Sequence, residues 1–246
     1  MREETRRHFD SQARDYYRSN YEQPRTRHAY NLALRREACL ALVPSPGGTV
    51  LDLGCGPGAM TIPLVESGHR VVWTDVSSEM VAETSKRASA LGAPVRGAVA
   101  DAAALPFDAN SFATVVTTGV LEYVPNLSAT MTEIARVLEP CGVLIATMSL
   151  PRRFERFAVR SLAKLRGRST SIEQFIYERA PFDEIIESAG LRIEIRQCCA
   201  FAPFPVDAIW PRSVLWIDRV LGASLNRVEI ACDHAKTYIV RARAVK

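Results

Sequence analysis

The chain has 246 residues, 48% of them hydrophobic and 24% charged, with a formal net charge of +4. That length suits one α/β domain with additions, and the composition excludes a disordered or coiled-coil chain. The mild charge does not argue for nucleic acid by itself, no apolar run is long enough to span a bilayer, and the first residues do not read as a signal peptide. Cytoplasmic residence is therefore expected. The six cysteines include no CxxC or Cys/His cluster with zinc spacing, so no metal site is expected and the thiols are expected to be reduced and structural.

In chain order, residues 1–46 read as a helical cap. Phe9, Ala13, Tyr16, Tyr17 and Tyr21 form a stripe broken at Pro24, a second helix fits 27–42, and Pro44-Ser-Pro-Gly-Gly is a linker signal. Val50 to Leu53 then reads as a short buried strand, after which Gly54, Gly56 and Gly58 replace side chains at every second position. Glycines serve where the chain turns with positive φ or where a ligand must touch the main chain, and a helix opening there points free N–H groups inward. A helix over 60–67 and a strand over 70–74 follow, the strand ending in Asp75. In open α/β sheets ligands sit off the carboxyl ends of strands, and an acid about twenty residues past the glycines meets a ribose. The next helix runs to Leu91, with Ser77 or Ser78 free to cap it. Strands over 95–100, 112–118 and 143–148 complete this half, the first ending in Asp101, with a helix over 128–138 between the last two.

The spacing Asp52-x-Gly54-x-Gly56-x-Gly58 resembles motif I of the class I S-adenosylmethionine (SAM) dependent methyltransferases. The resemblance is nearly continuous to about Leu150. It implies that the loop, Cys55 included, cradles the methionine part of SAM and that Asp52 helps hold the amino group. Asp75 and Val76 would meet the ribose, Met80 would pack on the adenine, and Asp101 with Ala102 resembles the adenine-reading pair. Leu105-Pro106-Phe107 matches the family's exit from that strand. Thr117 opens a stretch that resembles motif IV, beside the methionine, and within it Glu122 is the candidate for catalysis. Glu122 could take a proton from the acceptor, orient it, or cap the next helix. Phe9-Asp-x-x-Ala13-x-x-Tyr16 looks like a helix of the ubiquinone- and menaquinone-type members that closes over SAM. An aromatic there, with Tyr17 as the candidate, would wall in the cofactor or else pack the helix onto the core. The fold implied is α/β, a Rossmann-like seven-stranded mostly parallel sheet with an antiparallel last strand.

The organisation expected is a single methyltransferase domain with a cap over 1–46, a SAM-binding core over 47–150, a basic helical insertion over 151–180 and the remaining half of the sheet over 181–246. In the insertion, residues 152–168 make a basic amphipathic helix through Arg153, Arg156, Arg160 and Lys164, with Phe154, Ala158, Leu162 and Leu165 on another side. Such a helix suits an anionic membrane surface, an acidic substrate, or its own domain. A helix over 181–189 and a strand over 191–195 follow. An apolar stretch follows in which Phe201, Phe204 and Trp210 suit a greasy acceptor pocket and Trp216, Ile217, Val220 and Leu221 one side of a short helix, the alternative being packing on the sheet or on a dimer partner, and 236–242 is the last strand. The function expected is methyl transfer to a small, partly hydrophobic acceptor of phenol, quinone, lipid-linked or secondary-metabolite type. The rival readings are a non-catalytic SAM-fold binding or membrane-docking protein and an NAD-dependent oxidoreductase. Nucleic acid is disfavoured, and the oligomeric state is not assigned.

Overall fold

The computed structural model describes residues 3–22, 26–150, 174–200 and 235–245. Seven strands form one sheet: β1 (Thr49–Leu53), β2 (Arg70–Asp75), β3 (Gly97–Val99), β4 (Phe112–Thr117), β5 (Leu138–Ser149), β6 (Leu191–Cys199) and β7 (Thr237–Ala244). Their spatial order is β3-β2-β1-β4-β5-β7-β6. Strands β1 to β5 run parallel, and β7 inserts antiparallel between β5 and β6. The order reverses at β1 and β4, which places a crevice at their carboxyl ends.

Alternation along β1 shows how both faces are covered. Val50 joins one apolar cluster, with Trp73, Met60 and Val81, whereas Leu51 and Leu53 join the other, with Met131, Ile134 and Phe182. The second cluster is completed by α5 (Leu127–Val137) and α6 (Arg179–Ser188), whose apolar residues recur at helical spacing. The first lies under α2 (Arg27–Leu40), α3 (Thr61–Glu66) and α4 (Ser78–Ala90). Polar side chains set the helix starts. Thr26 caps α2 by accepting from Ala29 N, Ser77 caps α4 by accepting from Met80 N, and Asn126 caps α5 by accepting from Ala129 N. The first helix, α1 (Glu3–Tyr17), continues through a π-helical turn over Arg18–Glu22 and lies against α4.

Strands β5 and β6 are longer than the apolar runs suggest. Strand β5 starts at Leu138 and passes through Cys141 at φ 61°, with a register shift against β4 between Phe112 and Thr114. Strand β6 continues past Ile195 because Arg196, Gln197 and both cysteines keep pairing with β7. Cys198, buried in the core, is disulfide-bonded, which departs from the reduced state expected of the cysteines. The basic segment 152–168 and the apolar stretch 201–221 lie outside the described residues. Among those described, no helix is long and apolar enough to cross a membrane and no His, Cys, Asp and Glu group has metal-binding geometry.

Cys141 sits in a left-handed conformation that suits glycine, and its exposed thiol takes no part in the carbonyl's bond from Arg243 Nη1 at 3.0 Å. Left-handed backbone costs a side-chain-bearing residue about 1–2 kcal/mol, against about 0.5–1 kcal/mol for glycine's extra freedom when unfolded. Cys141→Gly should therefore raise the unfolding free energy by about 0.5–1 kcal/mol. A urea titration checks this, and a lower midpoint with unchanged slope would contradict it.

Candidate functional site

A cavity of about 770 Å³, counted to its open mouth, lies at the carboxyl ends of β1, β2 and β4. The loop after β1 forms its floor. Gly54 N and Cys55 N both donate to Thr74 O, at 2.7 and 2.9 Å, which ties the loop to β2. Gly54 has φ 74°, and a Cβ there would stand 2.1 Å from Val120 Cγ2, so only glycine lets this loop pass the segment after β4. At Gly56 a Cβ would meet nothing within 4 Å. The main chain there faces the cavity, and Thr84 Oγ1 holds its carbonyl from behind at 2.7 Å.

Asp75 lines the cavity at the end of β2. Its Oδ2 accepts from Gly56 N at 2.9 Å and its Oδ1 from Ser77 N at 3.0 Å, which fixes both oxygens and leaves each with spare acceptor capacity. Burial raises its pKa above the ordinary carboxylate value, and the backbone donors work against that rise. Val76 and Met80 on one side and Ala100 and Ala102 on the other make an apolar slot beside it. The loop behind the slot is clamped to α5, where Glu133 Oε1 accepts from Leu105 N at 2.8 Å and Arg136 Nη1 donates to Phe107 O at 2.8 Å. Thr118, Gly119, Val120 and Tyr123 form the opposite wall, with Gly119 N donating to Thr147 Oγ1 at 2.9 Å.

The cap supplies the remaining wall through Phe9, Tyr16, Tyr21 and Arg35. The Phe9 ring meets Tyr123 edge-on, centroids 5.3 Å apart. Arg35 projects from α2 to Gly119, where a Cβ would fall 2.5 Å from its Nη1. It lies close enough to Tyr21 and Glu122 for their charges to bear on it. Burial raises the phenol pKa of Tyr16 and of Tyr21, which keeps both hydroxyls protonated.

Of the expected residues, Gly54, Cys55, Gly56, Asp75, Val76, Met80 and Ala102 meet at this cavity. Six stand elsewhere. Tyr17 turns to α4 and lies under the Arg87 guanidinium, 3.9 Å from its ring centroid, because its neighbour Tyr16 holds the inward position. Gly58, at φ 95°, packs against Ile62 and Thr84. Asp101 turns its Oδ1 to Ala103 N at 3.0 Å, leaving Ala100 and Ala102 at the wall. Thr117 is fully buried, and Thr118 takes the wall position. Glu122, 3% exposed, accepts from Ser149 Oγ at 2.6 Å through Oε1, while its buried Oε2 has no partner among the described residues. Asp52, 1% exposed, accepts from Thr61 Oγ1 at 2.6 Å at the start of α3. It braces the loop from below instead of entering the cavity. Arg35 escapes sequence reading because no motif contains it. The signal available is its place between Leu32 and Cys39 at helical spacing, a cation on the stripe that α2 buries.

Burial pushes the Asp52 carboxyl up to about 7. The folded state then holds a proton that the unfolded chain releases near pH 4, so stability falls as pH rises from about 4 to about 7. Asp52→Asn keeps an acceptor for Thr61 and should flatten this fall, with a gain on the order of 2–3 kcal/mol at pH 8 relative to pH 5. Denaturation at the two pH values checks it. An unchanged pH slope in the variant would contradict it.

Residues 50–142 match the family described as "Methyltransferase domain". Among curated proteins, the demethylmenaquinone methyltransferase of Tropheryma whipplei is 29% identical over 79% of this chain and 82% of its own. The ubiquinone biosynthesis O-methyltransferase of Rhizobium etli is 27% identical over 65% and 66%. The chain spans only 36% of the length of the uncharacterized Mycobacterium proteins that it also matches, at 32% identity. Among solved structures, magnesium protoporphyrin IX methyltransferase from Synechocystis with bound SAH superposes with a TM-score of 0.67, at 19% identity over 98% of both chains. A putative Haloferax volcanii methyltransferase in complex with the Trm112 activator gives 0.68, at 22% identity over 98% of this chain and 97% of that one. With the reversed sheet order, the antiparallel β7 and the glycine floor, these matches identify residues 50–142 as a methyltransferase domain and support a class I SAM-dependent methyltransferase.

Proposed function

We propose that the protein transfers the methyl group of SAM to a small, partly hydrophobic acceptor of phenol or quinone type. The observation that carries this reading is the cavity itself, which joins a bare glycine floor, a fixed acid, an apolar slot and a half-buried guanidinium. These features fit SAM part by part. Asp75 has acceptor capacity left for two ribose hydroxyls, and the slot between Met80 and Ala102 suits a flat base. Arg35 offers a planar pair of donors to the amino-acid carboxylate. SAM supplies an electrophilic methyl on sulfur, and the protein's part is to align a nucleophile with it in a dry site.

Phe9, Tyr16 and Tyr123 form the acceptor side of this reading, an aromatic wall that carries the two tyrosine hydroxyls. Two curated relatives are named as ubiquinone and demethylmenaquinone methyltransferases, which supports a quinone or phenol precursor as the acceptor. Glu122 is absent from the wall, so its proposed role is to balance the charge of Arg35 from a position fixed by the Ser149 hydroxyl. The basic segment 152–168 remains a proposal for contact with an anionic surface or acidic substrate.

The test is incubation with methyl-labelled SAM and separate pools of phenols, quinones, amines and lipids, with label followed by mass. Label in the phenol or quinone pool is the expected result. Arg35→Met should weaken SAM binding by about 10–100-fold, the loss of a charged hydrogen-bonding pair, and Asp75→Ala by a similar factor. Tight SAM binding with no label in any pool would overturn methyl transfer in favour of a SAM-binding protein without catalysis.

A further inference from the structure

The ribose acid and the cap are joined through one side chain. Ser77, fully buried at the start of α4, gives its N–H to Asp75 Oδ1 at 3.0 Å and its hydroxyl proton to Asp10 Oδ1 on α1 at 2.5 Å. The same Oγ accepts from Met80 N at 3.1 Å, so its position is fixed by α4. Asp10 and Asp75 therefore face each other across Ser77, two carboxylates close enough to feel one another's charge. Farther along, the cap is tied to the same helix by the Tyr17 ring under Arg87 and by Glu22, 3.4 Å from Arg87. Asp10 is half-buried and does not itself line the cavity.

We propose that Asp10 is a positioning residue, and that the Asp10–Ser77–Asp75 chain makes docking of α1 respond to occupancy of the ribose subsite. The inference rests on the SAM reading of the cavity. With Asp75 bare, its charge repels Asp10 and opposes docking of α1. Two ribose hydroxyls donating to Asp75 disperse that charge, the repulsion falls, and the Ser77 hydroxyl holds Asp10 more firmly. Coupling of this kind is reciprocal, so a docked α1 retains the cofactor. Because α1 also carries Phe9 and Tyr16, the acceptor wall is completed after the cofactor is in place.

Hydrogen exchange of the full chain, with and without S-adenosylhomocysteine, tests this in the wild type, Asp10→Ala and Asp10→Asn. In the wild type the ligand should slow exchange across α1. Asp10→Ala removes the acceptor, and S-adenosylhomocysteine should leave about tenfold faster, with most of the slowing in α1 lost. Asp10→Asn keeps an oxygen for Ser77 without the charge, so α1 should be protected before ligand is added and gain little afterwards. Unchanged exchange in β4 and β5 shows that each variant is folded. A ligand-dependent gain in α1 equal to the wild type's, in either variant, would overturn the inference while leaving the cofactor site standing. Failure of the wild type to bind S-adenosylhomocysteine would overturn both.

Discussion

At Gly54 the chain has no room for a side chain, and the site depends on that absence. A methyl group there would sit within 2.1 Å of Val120, so the loop after β1 and the segment after β4 could not lie in contact. Two amides of the same loop reach the last turn of β2 through Thr74 O, and the three strand ends are thereby held as one rigid rim. Main-chain donors also set the acid on this side, since the Gly56 N–H fixes Asp75. Such a rim suits chemistry in which alignment supplies most of the rate.

The opposite side is built from side chains and carries the charge. Arg35 reaches the cavity from α2 with Tyr21 and Glu122 nearby, and Glu122 is oriented in turn by Ser149 at the end of β5. A guanidinium taken out of water needs such partners, because desolvation of an unpaired charge costs several kcal/mol. In the proposed reading, this is what a buried glutamate outside the cavity serves. Asp52 shows the same division, since it serves the start of α3 from beneath the floor.

The sheet was legible in the sequence because its strands are short apolar runs ended by glycine or acid, and these patterns are local. Strand ends were less so. The polar residues of β6 pair only because β7 returns beside them, and Cys141 bridges what reads as a turn. In the site, the residues that act through the main chain or sit at strand ends, Gly54, Gly56 and Asp75, were legible from spacing. Side-chain direction was not: Tyr16 and Tyr17 are adjacent, and only the docking of α1 on α4 decides which of them enters the cavity. Arg35 stands outside any motif, and its role follows from the meeting of α2 with the segment after β4.

The central claim is that this cavity is a SAM site. Calorimetric titration of the full chain with S-adenosylhomocysteine and, separately, with NAD tests it most directly. The account requires one site of about micromolar affinity for the first and no measurable heat for the second. Binding of NAD with indifference to S-adenosylhomocysteine would contradict it.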